Sequence, residues 1–418
     1  MLNLKNIKNS GSLGKFNYMD TVASPALPLP AKTAKAVANP ARSLSWPWRY
    51  DTTKYGSRDV RLDLLRGLCF AAMTIDHMGI FGPDTWLYTI TANGNFFISA
   101  AEGFVFISGL VMGLVYFKLI KREGIGAVVP KILGRVVKLY WLAVGISLFF
   151  VALATFTPLK LWADRDWITI KDPIELIVGT LTLHFAFHGG SIMVMYVIFV
   201  ALTPLLFYLL NQGKTLSVLA VSLFVWGANV FYPNQFSLPF AANFPIASWQ
   251  LLFVGGLLIG WHRESLVKLL SQRWQTVYAL VIGGLALAGL AVFLLHKSGD
   301  LAQIFPALDE GWLWNDFNDK GRIPLARLAM IALYLQAFYL LATWFWQPIK
   351  TLVGWYLTPI GEKGMYTYTM HLLLIVLVYN LPYFLQLPYV LYGFAQLGAL
   401  LLILLAVKTR FLAKLIPS

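Results

Sequence analysis

Residues Leu62–Phe81 read LDLLRGLCFAAMTIDHMGIF. At about 1.5 Å per residue this stretch makes a helix of about 30 Å, the thickness of a bilayer's hydrocarbon core. It nevertheless carries Asp63, Arg66, Asp76 and His77. An ionisable side chain at the centre of a spanning helix costs roughly 2.5–3.5 kcal/mol to insert, so such groups face a cavity or a partner. Arg66 and His77 lie close to three helical turns apart, on one face and about 16 Å from each other along the axis. Asp63 precedes Arg66 by one turn and can pair with it. An ordinary ion pair at the helix terminus, with Arg66 reaching to the headgroups, explains those two residues equally well. Asp76 and His77 are adjacent and point about 100° apart, so neighbouring positions alone do not make them partners.

The rest of the chain has the same character. Of its 418 residues 58% are hydrophobic and only 12% charged, against about 25% charged in a soluble domain. Ten apolar segments run over 62–81, 97–118, 132–156, 191–211, 215–232, 246–261, 276–296, 324–346, 366–381 and 388–407. The sixth and ninth are short for a full crossing. The stretch 173–187, broken by His184 and His188, reads as a partial or re-entrant helix. The predicted fold is an all-α polytopic membrane bundle of about ten transmembrane helices, in two parts. Residues 1–57 are expected to be a polar, disordered cytoplasmic extension punctuated by Pro25, Pro28, Pro30, Pro40 and Pro47, with Trp46, Trp48 and Arg49 at headgroup depth. Residues 58–418 are one transmembrane domain.

Charge placement orients the bundle. The net charge of +14 could suggest nucleic acid, but the basic residues flank apolar runs, as membrane orientation requires. With the amino terminus inside, 25 of the 33 Lys/Arg fall on inner segments and seven on outer ones. Both termini are therefore predicted cytoplasmic, with no nucleic-acid partner. The one cysteine, Cys69, can make neither an intrachain disulfide nor a cysteine metal site.

The second segment adds Glu102 about one turn from its outer end, so His77 and Glu102 sit at similar depth on neighbouring helices. A carboxylate beside an imidazole orients it and raises its basicity, as a general base requires. Gly103, Gly109 and Gly113, with Ser99 and Ser108, are small enough to let helices approach closely.

RDVRLDLLRGLCFAAMTIDHMG followed by AAEGFVFISGLVMGLVY resembles the OpgC family, membrane succinyltransferases of osmoregulated periplasmic glucans. Asp63, Arg66, Gly67, Asp76, His77, Glu102, Phe104, Phe106, Ser108 and Gly109 occupy the places of that family's motifs. Beyond residue 120 the resemblance is looser, resting on the span count and on WQLLFVGGLLIGW; the long basic extension departs from it. The resemblance implies an acyl-CoA-dependent O-acyltransferase of a bacterial inner membrane. It would move a succinyl or acetyl group from cytoplasmic acyl-CoA to a hydroxyl of an outward-facing glycan, with no bound cofactor. Its partners would be acyl-CoA, the glycan and the bilayer. In that chemistry His77 is the expected base, with Glu102 or Asp76 as its orienter. Arg58, Arg61 and Arg66, with Asp63, are expected at the donor's phosphates. His371 and Ser108 are further candidates.

His184 and His188 are four apart, a spacing that puts two ligands on one helix face, but no third ligand accompanies them and no metal is expected. His262 reads as an inner-surface charge and His296 as a solvated helix end. The outer loop Lys297–Arg322, with Trp312 and Trp314 among carboxylates, has the chemistry to bind sugars. A proton-coupled transporter in which Asp76, His77, Glu102 and His371 form a relay is the rival reading.

Overall fold

A computed structural model describes residues 46–55, 58–161, 172–233, 244–269, 272–306, 312–413 and 416. Ten helices correspond to the ten apolar segments: α1 Val60–Phe81, α2 Ala100–Glu123, α3 Ile125–Phe156, α4 Ser191–Asn211, α5 Thr215–Phe231, α6 Ile246–Trp261, α7 Gln272–Ser298, α8 Leu325–Trp344, α9 Gly364–Tyr379 and α10 Tyr389–Thr409. Among the described residues there is no strand. Six of these helices, α2, α3, α4, α7, α8 and α10, are long and apolar enough to cross a membrane. With 17, 16 and 16 residues, α5, α6 and α9 extend only about 24–26 Å, short of a hydrocarbon core of about 30 Å. Helix α1 has the length, at 22 residues, but keeps its internal charges. The protein is thus an all-helical membrane protein.

Two backbone-to-backbone contacts fix the bundle around α1 and α2. A Cβ added at Gly109 or Gly113 of α2 would run into the carbonyls of Phe253 and Leu257 on α6. A Cβ at Gly256 or Gly260 would strike the carbonyls of Phe106 and Leu110 in return. This is small-xxx-small packing, in which close approach substitutes for a hydrophobic driving force that lipid does not supply. The short helix Trp355–Glu362 lies on α1 in the same way, because a Cβ at Gly67 would meet Leu357 and one at Gly361 would meet Asp63. Gly109→Ala and Gly256→Ala should each cost about 1–3 kcal/mol through overpacking, read as a lower melting temperature in detergent. Gly284→Ala in α7, exposed and with nothing within reach of a Cβ, should cost nothing.

Of the expected amino-terminal extension, residues 1–45, Gly56 and Ser57 lie outside the described residues. Residues 46–55 are folded onto the helices: Tyr50 N–H donates to the Thr343 carbonyl at 2.8 Å and Gln347 N–H to the Trp48 carbonyl at 3.1 Å. Trp46 and Trp48 stay exposed beside Phe345. The stretch Pro173–Phe187 begins with a nine-residue helix, Pro173–Leu181, capped by Asp172. His184 follows in a non-helical segment, bonded locally to Thr182, so the spacing to His188 does not mark one helix face.

Candidate active site

Parallel packing of α1 and α9 brings His77 to His371. Their rings stack at 5.1 Å between centroids, and His77 Nδ1 lies 2.9 Å from His371 Nε2. His371, 1% exposed, directs its Nδ1 at the Tyr368 carbonyl at 2.8 Å. A carbonyl only accepts, so Nδ1 of His371 holds the proton and, in the neutral ring, Nε2 is the acceptor. His77 therefore donates from Nδ1, and its basic lone pair sits on Nε2. Two further bonds hold this frame. The Tyr379 hydroxyl donates to the His77 carbonyl at 2.5 Å, and the Tyr368 hydroxyl donates to the Gly189 carbonyl at 2.6 Å. The residue that meets Nδ1 of His77 is thus His371 rather than a carboxylate.

Glu102 is engaged elsewhere, which corrects the orienting role predicted for it. Its carboxylate accepts from Arg327 Nε at 2.6 Å and from Arg327 Nη2 at 3.0 Å, and both side chains are 0% exposed. The Ser99 amide donates to the same carboxylate at 2.6 Å, completing a capping box at the start of α2. Arg327 also bonds the Phe317 carbonyl at 2.6 Å. A buried carboxylate survives only with its lone pairs answered, and Arg327 answers them. Asp76, rotated around α1 from His77, faces the loop that follows instead. Its carboxylate lies against Gly94, near Thr91 and Lys320, and one oxygen has no hydrogen-bond partner among the described residues. Lys320 Nζ donates to the Gly94 carbonyl at 2.6 Å. Burial, and then the charge of Arg327, hold the Lys320 ammonium below its usual range.

At the amino-terminal end of α1 the three predicted donor arginines part company. Arg61 is consumed by the fold: it grips Asp59 with Nε and Nη2, both at 2.8 Å, bonds Thr343 at 2.7 Å and lies between the Tyr50 and Tyr339 rings. Asp59 also accepts from Arg263 and from the Tyr339 hydroxyl. Burial pushes the Asp59 carboxyl up, but Arg61 and Arg263 outweigh it and hold it down at about 2. An unfolded Asp titrates near about 3.9, so the folded value is depressed. The group therefore stabilises fully above about pH 4 and loses its contribution, about 2–3 kcal/mol, as pH falls through about 2. Asp59→Asn should remove that acid-side loss and lower stability at neutral pH, measured by thermal unfolding against pH in detergent.

Arg58 is half exposed beside the start of α1, bonded to Asp63 at 2.9 Å and to Glu362 at 3.0 Å. The predicted Asp63–Arg66 pair forms only at 3.9 Å, since Asp63 is held by Arg58. Arg66 instead turns into the bundle, where Nη1 reaches the Gly361 carbonyl at 3.2 Å and Nε is buried without a hydrogen-bond partner among the described residues. There it feels Tyr196 and Arg135. Arg135 of α3 bonds the Tyr196 hydroxyl at 3.1 Å and touches the Met112 sulfur and Tyr116. Tyr196, Met112 and Tyr116 are buried, so the Arg135 guanidinium points at the core from a residue whose remaining surface is exposed. Ser108 lies between Phe104 and Met112 on one face of α2, and Phe104 packs on Tyr196. Ser108 therefore belongs to this arginine-lined region rather than to the outer end.

Arg135, Arg327 and the tyrosines are absent from the sequence-based candidates. A signal was present, because both arginines fall inside apolar segments, where a cation needs a partner or a role. His262 and His296 are held by neighbouring side chains. His262 bonds Thr215 at 2.9 Å, and His296 stacks on Trp314 at 3.6 Å, so His296 is not simply solvated. Trp314 joins Phe97 and Phe317 in a buried aromatic cluster, while the Trp312 side chain lies outside the described residues. Among the described residues no three His, Cys, Asp or Glu side chains converge on a metal position.

Curated proteins and solved structures supply no match to the chain. The family model described as OpgC protein matches residues 58–414, which includes both ends of α1, the His77–His371 pair and the Arg66–Arg135 region. That family carries a glucan-modifying, acyltransferase-type function. With nearly all of its helical part matched, the chain belongs to the OpgC family.

Proposed function

We propose that the protein is an acyl-CoA-dependent O-acyltransferase that moves a succinyl or acetyl group from the cytoplasmic side to a hydroxyl of an outward-facing glycan. The observation that carries this is the directed chain from the Tyr368 carbonyl through His371 to His77, which presents Nε2 of His77 as a base. A sugar hydroxyl is a poor nucleophile. Nε2 takes its proton as the oxygen attacks the thioester carbonyl, and the tetrahedral intermediate then expels the CoA thiolate, which recovers the proton from His77. While His77 is cationic, Nδ1–H donates to the neutral Nε2 of His371, which stabilises the charge without adding another.

The donor enters from the other end. Arg66 and Arg135 bring two guanidiniums together, and among the described residues no carboxylate is paired with them more closely than the 3.9 Å of Asp63 to Arg66, an arrangement suited to phosphate. Arg58 adds a cation at the rim. About 16 Å along α1 separates Arg66 from His77, and the extended pantetheine arm bridges it. Ten crossings with both termini inside, in a bacterial inner membrane, put this arginine end on the cytoplasmic side. The transporter reading loses one relay member, because Glu102 is clamped by Arg327.

The test is purified protein in detergent given radiolabelled acyl-CoA and a glucan oligosaccharide. Labelled glucan is expected. Arg66→Ala and Arg135→Ala should each raise the acyl-CoA KM about tenfold or more, with the glucan KM unchanged. Proton-driven solute uptake in sealed vesicles without any acyl transfer would overturn the assignment.

A further inference from the structure

Outward of the histidine pair the chain leaves α9 through Asn380–Pro388 before α10 begins, and a cleft of about 300 Å³ opens there. Lys160, Tyr379, Tyr383, Leu385 and Gln386 line it. Its wall is built from two connections, since Asn380 exchanges a pair of 2.8 Å hydrogen bonds with the backbone of Lys160. Its floor reaches the candidate active site, because Tyr379 is the residue whose hydroxyl bonds the His77 carbonyl.

Tyr383 is the feature that needs a reason. It has φ +59°, the left-handed region in which a residue with a Cβ is strained. It is also 77% exposed and, among the described residues, has no ring contact and no side-chain hydrogen bond. Glycine or asparagine would make the same turn at less cost. Neither folding nor packing accounts for a tyrosine here. An aromatic face with a phenol, an amide from Gln386 and an ammonium from Lys160 is a set that stacks on a sugar ring and bonds its hydroxyls.

We propose that this cleft is an acceptor subsite that holds a sugar unit next to the one being acylated. The inference rests on the acyl-transfer reading above and adds where the rest of the acceptor is held. Tyr379 is eight residues beyond His371, about 12 Å along α9. A sugar in the cleft is therefore too far out to react itself and instead positions an inner neighbour at His77. The acceptor is an oligosaccharide, and the subsite does nothing for a single sugar. The loop Lys297–Arg322, from which sugar binding was expected, has Trp314 committed to its aromatic cluster.

The experiment measures binding of a glucan oligosaccharide to the full chain, together with acyl-transfer kinetics, for Tyr383→Ala, Tyr383→Gly and Gln386→Ala. Tyr383→Ala and Tyr383→Gly should raise the oligosaccharide Kd and KM about tenfold, and Gln386→Ala about threefold. The acyl-CoA KM and the slow transfer to free glucose should stay unchanged. Tyr383→Gly should melt no lower than wild type, since glycine relaxes the left-handed turn, which separates loss of ligand from loss of fold. Unchanged oligosaccharide Kd and KM in an enzyme that transfers acyl groups would overturn the subsite. Oligosaccharide binding that depends on Tyr383 without acyl transfer would uphold the subsite and overturn the reaction.

Discussion

His77→Ala should lower kcat for acyl transfer by 10²–10⁴-fold, the span that a positioned general base supplies, with the acyl-CoA KM unchanged. His371 acts through His77, so its variants should grade. His371→Ala removes the acceptor for Nδ1–H and frees the His77 ring to turn, with an expected loss of about 10–100-fold in kcat. His371→Asn can still accept from His77 through its side-chain oxygen and should recover part of that loss. The pH profile separates this from a packing defect. A positioning partner shifts the acidic limb of kcat/KM, which the base His77 sets, when it is lost, whereas a hole in the core lowers activity equally at every pH. Full transfer by His77→Ala would remove the base from the mechanism. Equal, pH-independent losses in His371→Ala and His371→Asn would reduce His371 to a packing residue.

The helices were legible because hydropathy period and length are local properties: each apolar segment read from the sequence is a helix of nearly the same extent. The polar content of α1 was legible for the same reason, since a charge in an apolar run announces itself. Partner choice was not legible, because it depends on which helices pack together. Glu102 was matched to His77 by depth, yet depth says nothing about azimuth, and Arg327 of α8 takes the carboxylate. Arg61 looked like Arg66 on the page, but sits where Asp59, Tyr50 and Tyr339 enclose it. Arg135 and Arg327 were counted as flanking charges because they lie near the ends of their segments. Only the α2–α6 glycine contact and the placement of α3 and α8 beside α2 reveal what they face. His371 was found from its place in a span, and its partnership with His77 came from the packing of α9 on α1.

The second large effect concerns the clamp, and it separates stability from catalysis. Arg327→Met leaves Glu102 buried and unpaired, and Glu102→Leu does the same to Arg327; breaking a buried ion pair from one side costs about 3–5 kcal/mol. Either single variant should therefore melt far below wild type in detergent or fail to accumulate. Replacing both partners by apolar groups removes the two desolvation penalties together, and such exchanges are often neutral or stabilising. The double variant Glu102→Leu/Arg327→Met should accordingly regain most of the lost stability, although Phe317 and Ser99 each lose a hydrogen bond to the pair. Activity in that restored protein decides the role of Glu102. If the carboxylate only ties α2 to α8, the double variant transfers acyl groups at a rate within a few-fold of wild type. If Glu102 takes part in the chemistry, the protein folds and does not turn over, and the reading that Glu102 only ties α2 to α8 falls with it.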